Sequence, residues 1–263
     1  MKKGIIALAV CAVLLAGCGK TPDVQNSNAS AGYANSGEEI VDTSAADTEA
    51  AAAETAADES SLTWKEAVNF TAPAEGEKII VMDIKDYGTI KIKLFPEEVP
   101  QAVENFVGLT EMNYYDELIF HRIIPNFMNQ GGDPQGTGYG GKSIWGDKFE
   151  SGISYSLYHF SGAVCYANSG STSTSGSQFY IVNTPEGYTC DMDMDQFPYP
   201  QSVKDKYREV GGTPFLDGGY TVFGQVIEGM DVVRAMSQVE TDENDKPLTQ
   251  VQMTSVRTEE YHS

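Results

Sequence analysis

Phe120-His-Arg-Ile-Ile-Pro-Asn-Phe-Met-Asn-Gln-Gly-Gly-Asp133 is the stretch of this 263-residue chain from which the rest is best read. It contains two strand-like runs, 118–124 and 127–130, on either side of Pro125 and Asn126. Their aromatic and β-branched residues suit a pleated, half-buried surface. Side chains alternate along a strand, so Met128 and Gln130 share one face.

Upstream, 78–84 and 89–95 are β-branched runs broken at Asp86-Tyr87-Gly88, a hairpin signal. Pro96 and Pro100 bracket a helix start, after which Val103, Phe106, Val107 and Thr110 keep helical spacing. Downstream, strand-like runs recur at 162–167, 178–182 and 220–227. A second helix is predicted over 229–239, where Met230, Val233 and Ser237 share a face, and Val251 to Val256 closes as a strand. Many short strands with only two helices predict a mainly β barrel or sandwich and exclude a doubly wound sheet.

The first 62 residues have a different character. Lys2 and Lys3 precede an apolar run from Gly4 to Leu15 that ends in small residues, the layout of a signal peptide. Leu15-Ala16-Gly17-Cys18 resembles the lipobox of bacterial lipoproteins, in which the cysteine becomes the first mature residue and carries acyl groups. Two or more acyl chains suffice for stable anchoring. We therefore expect 1–17 to be a lipoprotein signal peptide and Cys18 a lipidation site. Residues 18–62 are then a lipid-anchored, acidic, low-complexity and disordered tether, and 63–263 a single domain. The protein is expected to be exported, on the extracytoplasmic face of a bacterial cell membrane.

Charge supports that division: residues 1–20 carry +3, 21–62 carry −9 and 63–263 carry −15. The chain has 17 Lys and Arg against 38 Asp and Glu, a net charge of −21. Nucleic acid is a poor partner for it, because backbone binding needs clustered cations. An anionic bilayer would also repel it, so membrane residence requires an apolar or covalent anchor.

Several motifs have the letters of a chemistry without its context. Gly136 to Ser143 fits a phosphate-cradling loop, yet Ile144-Trp145-Gly146-Asp147 offers no amphipathic helix to follow it. Asp191, Asp193 and Asp195 open like a calcium loop, but Gln196 and Ser202 stand where Gly and Glu are needed. His121, His159 and His262 are too scattered for a metal cluster. Cys165 and Cys190 could pair outside the cytoplasm, and a buried free thiol at Cys165 is equally compatible with its strand-like surroundings.

The stretch 120–133 resembles the signature of the cyclophilins, the peptidyl-prolyl isomerases. Three further stretches agree in order: Gly140–Glu150, Ala167-Asn-Ser-Gly with Gly176-Ser-Gln-Phe-Tyr-Ile181, and Phe215-Leu-Asp-Gly-Gly-Tyr-Thr-Val-Phe-Gly224. The likeness spans about 78–257. It implies an eight-stranded antiparallel barrel capped by two helices, and isomerase activity without cofactor or metal. By resemblance, Arg122 is the catalytic guanidinium, with Gln130 and Gln178 positioning it and the peptide carbonyl. Phe127, Met128, Leu216 and Tyr220 line a proline pocket, Tyr180 and Phe215 stand at its edges, and Ala167 and Asn168 bind the substrate backbone. His121 is expected to be a satisfied scaffold residue.

The chain departs from the family pattern at three places. Tyr180, Phe215 and Tyr220 stand where many relatives carry Phe, Trp and His. The stretch 186–213 is also longer than the compact family's connection, and could flank the site. The implied partners are proline-containing unfolded or exported polypeptides and, through the anchor, the membrane. A monomer is expected. The alternative is a non-catalytic module that binds proline-containing segments.

Overall fold

The computed structural model describes residues 63–263. The expected signal peptide, Cys18 and the expected tether lie outside the described residues. Eight strands form one antiparallel sheet: β1 (Lys78–Ile84), β2 (Gly88–Leu94), β3 (Phe120–Ile124), β4 (Met128–Gly131), β5 (Ala163–Tyr166), β6 (Phe179–Val182), β7 (Val222–Glu228) and β8 (Met253–Glu260). Their order is β3-β4-β6-β5-β7-β2-β1-β8. The outer members meet: Phe120 N–H donates to Val251 O at 2.8 Å and Met253 N–H to Leu118 O at 2.8 Å, closing the sheet on itself. The expected eight-stranded antiparallel barrel is present.

The interior follows the strand period. Ile80 pairs with Ile92 and Met82 with Ile90 across β1 and β2, and all four are fully buried. Helix α1 (Pro100–Glu111) starts with Pro at its first turn and buries Ala102, Val103, Phe106 and Leu109. Phe106 sits at the aromatic centre, with ring centroids 4.8 Å from Tyr115 and 4.8 Å from Phe223.

Two helices were expected and three are present among the described residues. Helix α2 (Gln201–Val210) lies inside the long stretch 186–213, and α3 (Met230–Met236) is the anticipated second helix. Only Val203 and Tyr207 of α2 are buried, one turn apart on an otherwise polar sequence, so no apolar stripe announced it. It belongs to a second cluster of Tyr158, Phe160, Met194, Tyr199, Val203 and Tyr207. Trp64 joins that cluster, its ring 4.9 Å from Tyr199 and 5.2 Å from Tyr158. Lys65 and Val68 N–H groups bond to Tyr155 O and Ser156 O, so the segment leading into the barrel docks on it. The end of the insertion is tight: at Gly212 (φ +152°) a Cβ would stand 2.4 Å from His159 O. Among the described residues, no helix is long and apolar enough to cross a membrane.

Candidate active site

Strands β3, β4 and β6 lie side by side and bring the polar candidates together. Arg122 pairs with Gln130 across β3 and β4, and Gln130 pairs with Tyr180 across β4 and β6. Gln130 Nε2 donates to Gln178 Oε1 at 2.9 Å, and Gln178 Nε2 donates to Gly138 O and Gly140 O, each at 2.9 Å. The two glutamines thus form a rail from Arg122 to the glycine-rich loop. The P-loop-like letters at 136–143 belong to that loop.

The same loop is fixed from below by Asp133. Its carboxylate accepts from the N–H groups of Gln135, Thr137 and Gly138 at 2.7–2.8 Å. Burial pushes Asp133 up, but these bonds outweigh it and hold the carboxyl below the usual range.

The apolar candidates surround this rail. Met128 and Tyr180 belong to the barrel core, with Phe127, Ala167, Leu216 and Tyr220 packed against it. Phe127 stacks on Phe215 at 5.9 Å, and Tyr180 meets Tyr220 edge-on at 6.1 Å. Phe215 is 43% exposed, so this is an open apolar face on the barrel wall. A separate cavity of about 480 Å³, lined by Asn126, Asn183, Arg234 and Ser237 among others, contains none of the candidates.

At the backbone-binding edge, Ala167 N–H donates to Gln178 O at 3.0 Å and is therefore occupied within the fold. Asn168 is held by its side chain, which donates to Gly219 O and accepts from Gly170 N–H. Neither main-chain group of Asn168 has a hydrogen-bond partner among the described residues, nor has Ala167 O.

Two features differ from the sequence reading or escape it. His121 is 6% exposed, and neither ring nitrogen has a hydrogen-bond partner among the described residues. It is therefore an unsatisfied scaffold residue; burial pushes its pKa down to about 4 and keeps it neutral. The missed residue is Asp245, whose Oδ2 lies 3.2 Å from both Nε and Nη2 of Arg122. The loop carrying Asp245 is anchored by Ile123 N–H, which donates to Asp245 O at 2.9 Å. An ion-pair role for Arg122 and a place beside the apolar face are thus both realised. No local spacing signals a partner 123 positions away. Cys165 is buried and Cys190 half-buried, and both are free thiols. Asp193 caps a short turn and Asp195 pairs with Arg208, so two of the three calcium-like aspartates take structural partners.

The described residues thus place a guanidinium and two amides beside an open aromatic face on the wall of an antiparallel β-barrel. The family is then settled by comparison. Residues 79–258 match the cyclophilin type peptidyl-prolyl cis-trans isomerase family, and this chain belongs to it. A Staphylococcus aureus protein, provisionally named a peptidyl-prolyl cis-trans isomerase, is 42% identical over 187 residues, covering 71% of this chain and 94% of that one. A Streptococcus pyogenes protein, provisionally named a bifunctional phosphatase and peptidyl-prolyl cis-trans isomerase, is 44% identical over 168 residues. This chain spans only 36% of that relative's length. Among solved structures, a Cryptosporidium parvum cyclophilin type peptidyl-prolyl cis-trans isomerase superposes with a TM-score of 0.57 at 30% identity, covering 71% of this chain and 98% of that one. The same protein in the presence of the dipeptide Ala-Pro gives a TM-score of 0.55.

Proposed function

We propose that this chain is a surface-tethered foldase, a peptidyl-prolyl cis-trans isomerase that acts on exported proteins and is held to the membrane by acylated Cys18. In this reading residues 1–17 are the signal, 18–62 the tether and 63–263 the catalytic domain. The observation that carries the catalytic reading is the Arg122 guanidinium, oriented by Asp245, beside the apolar face of Phe127, Met128, Leu216 and Tyr220.

The chemistry requires no nucleophile. Amide resonance sets a barrier of about 20 kcal/mol to rotation about the Xaa-Pro bond. Reaching milliseconds asks for roughly 10⁴–10⁵-fold, or about 5.5–7 kcal/mol. The apolar face grips the proline ring, and Asn168 holds the flanking peptide. Arg122 Nη1, which has no partner among the described residues, donates to the prolyl nitrogen as the amide twists. That bond localises the nitrogen lone pair and weakens the double-bond character. A charge-assisted bond of this kind supplies about 1.5–3 kcal/mol. Desolvation of the twisted amide against the aromatic wall adds to it. Gln130 and Gln178 hold the carbonyl side in register with the guanidinium.

Cis/trans exchange on a proline tetrapeptide tests the reading. The wild type should accelerate exchange, and Arg122→Ala should lose about 10–100-fold of kcat/KM, the equivalent of one charge-assisted bond. A wild type that does not accelerate exchange removes the enzyme and leaves a proline-binding module. For the anchor, Cys18→Ser should release the protein from the membrane fraction. Retention of that variant in the membrane would refute lipidation at Cys18.

A further inference from the structure

Behind the apolar face, a buried chain of polar groups connects the 186–213 insertion to the pocket wall. Asp217 accepts four hydrogen bonds. Its Oδ1 takes the His159 N–H at 2.8 Å and His159 Nδ1 at 2.7 Å. Its Oδ2 takes the hydroxyls of Tyr199 at 2.8 Å and Tyr207 at 2.6 Å, both from the insertion. The Asp217 side chain is fully buried and that of His159 is 1% exposed. On the far side of the imidazole, Nε2 lies 3.0 Å from Tyr180 Oη.

The direction of these bonds follows from the carboxylate. An ionised Asp217 only accepts, so Nδ1 carries a proton, and in the neutral imidazole Nε2 then accepts from the Tyr180 O–H. Each link therefore orients the next: two tyrosines fix the carboxylate, the carboxylate fixes the imidazole, and the imidazole fixes the phenol of a residue in the pocket wall. The logic is that of an outer partner setting the tautomer and orientation of an inner one. Tyr180 stands where many relatives carry Phe, and a phenylalanine has no hydroxyl to complete the chain.

We propose that the 186–213 insertion is a positioning device for the proline pocket, acting on Tyr180 through Asp217 and His159. The inference rests on the isomerase reading of that face. It gives the insertion a role in turnover without contact with substrate, and makes His159 and Asp217 positioning residues. Trp64, which packs on Tyr199, brings the segment after the proposed tether into the same assembly.

The test removes two hydroxyls while keeping the rings. In the full chain, Tyr199→Phe with Tyr207→Phe should lower kcat on a proline peptide by about three- to tenfold, the order expected for a slightly misplaced wall. The same pair introduced into a Tyr180→Phe background should cause no further loss, because the last link is already absent. An equal fall in both backgrounds, or none in the first, overturns the proposal. The ring resonances of Tyr180, assigned by comparison with Tyr180→Phe, provide a readout independent of turnover. They should shift in the Tyr199→Phe/Tyr207→Phe protein, and unchanged signals also overturn the link. This second readout holds even if the wild type proves inactive, so failure of the isomerase reading is distinguishable. If the paired variant does not fold, Tyr207→Phe alone serves both measurements.

Discussion

In the barrel, Phe106 stacks within 4.8 Å of Tyr115 and Phe223 and meets Phe179 at 5.3 Å, so its place is set by helix and strand geometry. In the cluster beside it, Tyr207 is as deeply packed and Tyr199 nearly so, but their hydroxyls converge on one buried carboxylate. Phe106 is held by non-directional ring packing, whereas the second cluster is directional and depends on each hydrogen bond. The first kind of order builds a scaffold. The second transmits position.

Three experiments can break or sharpen that contrast. The largest effect is expected at Phe106→Ala, which should cost about 3–5 kcal/mol of global stability in denaturant unfolding through lost burial and a cavity. A much smaller loss would mean that the barrel relaxes around the gap and is less tightly packed than the structure indicates.

The next concerns His121. Its folded pKa of about 4 lies below the unfolded value near 6.5, so the unfolded chain binds more protons between these limits. The stability linked to its neutrality is therefore full above about pH 6.5 and is lost as pH falls toward 4. The loss should be on the order of 2–3 kcal/mol. Asp133, Arg122 and Lys246 are the charged groups that act on it. Unfolding midpoints at pH 7 and pH 4.5 for wild type and His121→Leu check this, and an equal pH slope in both would refute it.

The smallest effect is expected at Trp64→Ala. The ring is only partly buried, so the loss should be about 1–2 kcal/mol. Hydrogen exchange should quicken around Tyr158, Tyr199 and Tyr207 while the barrel strands stay protected. Exchange quickening equally in β1 and β2 would show that the two regions unfold as one.

The same contrast explains what was legible in the sequence. Ile80, Met82, Ile90 and Ile92 announce their strands through period-2 burial, and α1 announces itself through the spacing of Val103 and Phe106. The face around Arg122 was legible because Gln130 and Tyr180 follow from strand register within known motifs. Asp245 was not, since its pairing with Arg122 depends on a distant loop meeting β3. Helix α2 escaped for a related reason: its two buried residues gain their meaning from Asp217 and the barrel surface. Side-chain hydrogen bonds between remote segments leave no periodicity to read.

The closure of the sheet has a bearing on the company such a protein would keep. Exposed strand edges are templates onto which a stray extended chain can add itself. Here Phe120 and Met253 N–H groups are taken across the seam, Ile123 N–H is taken by Asp245 O, and Val256 N–H by the Asp116 carboxylate. Unfolded polypeptides, all backbone and no partner, are the visitors most ready to zip onto a bare edge. With the seam stitched at these points, an extended chain arriving there finds those main-chain donors already taken.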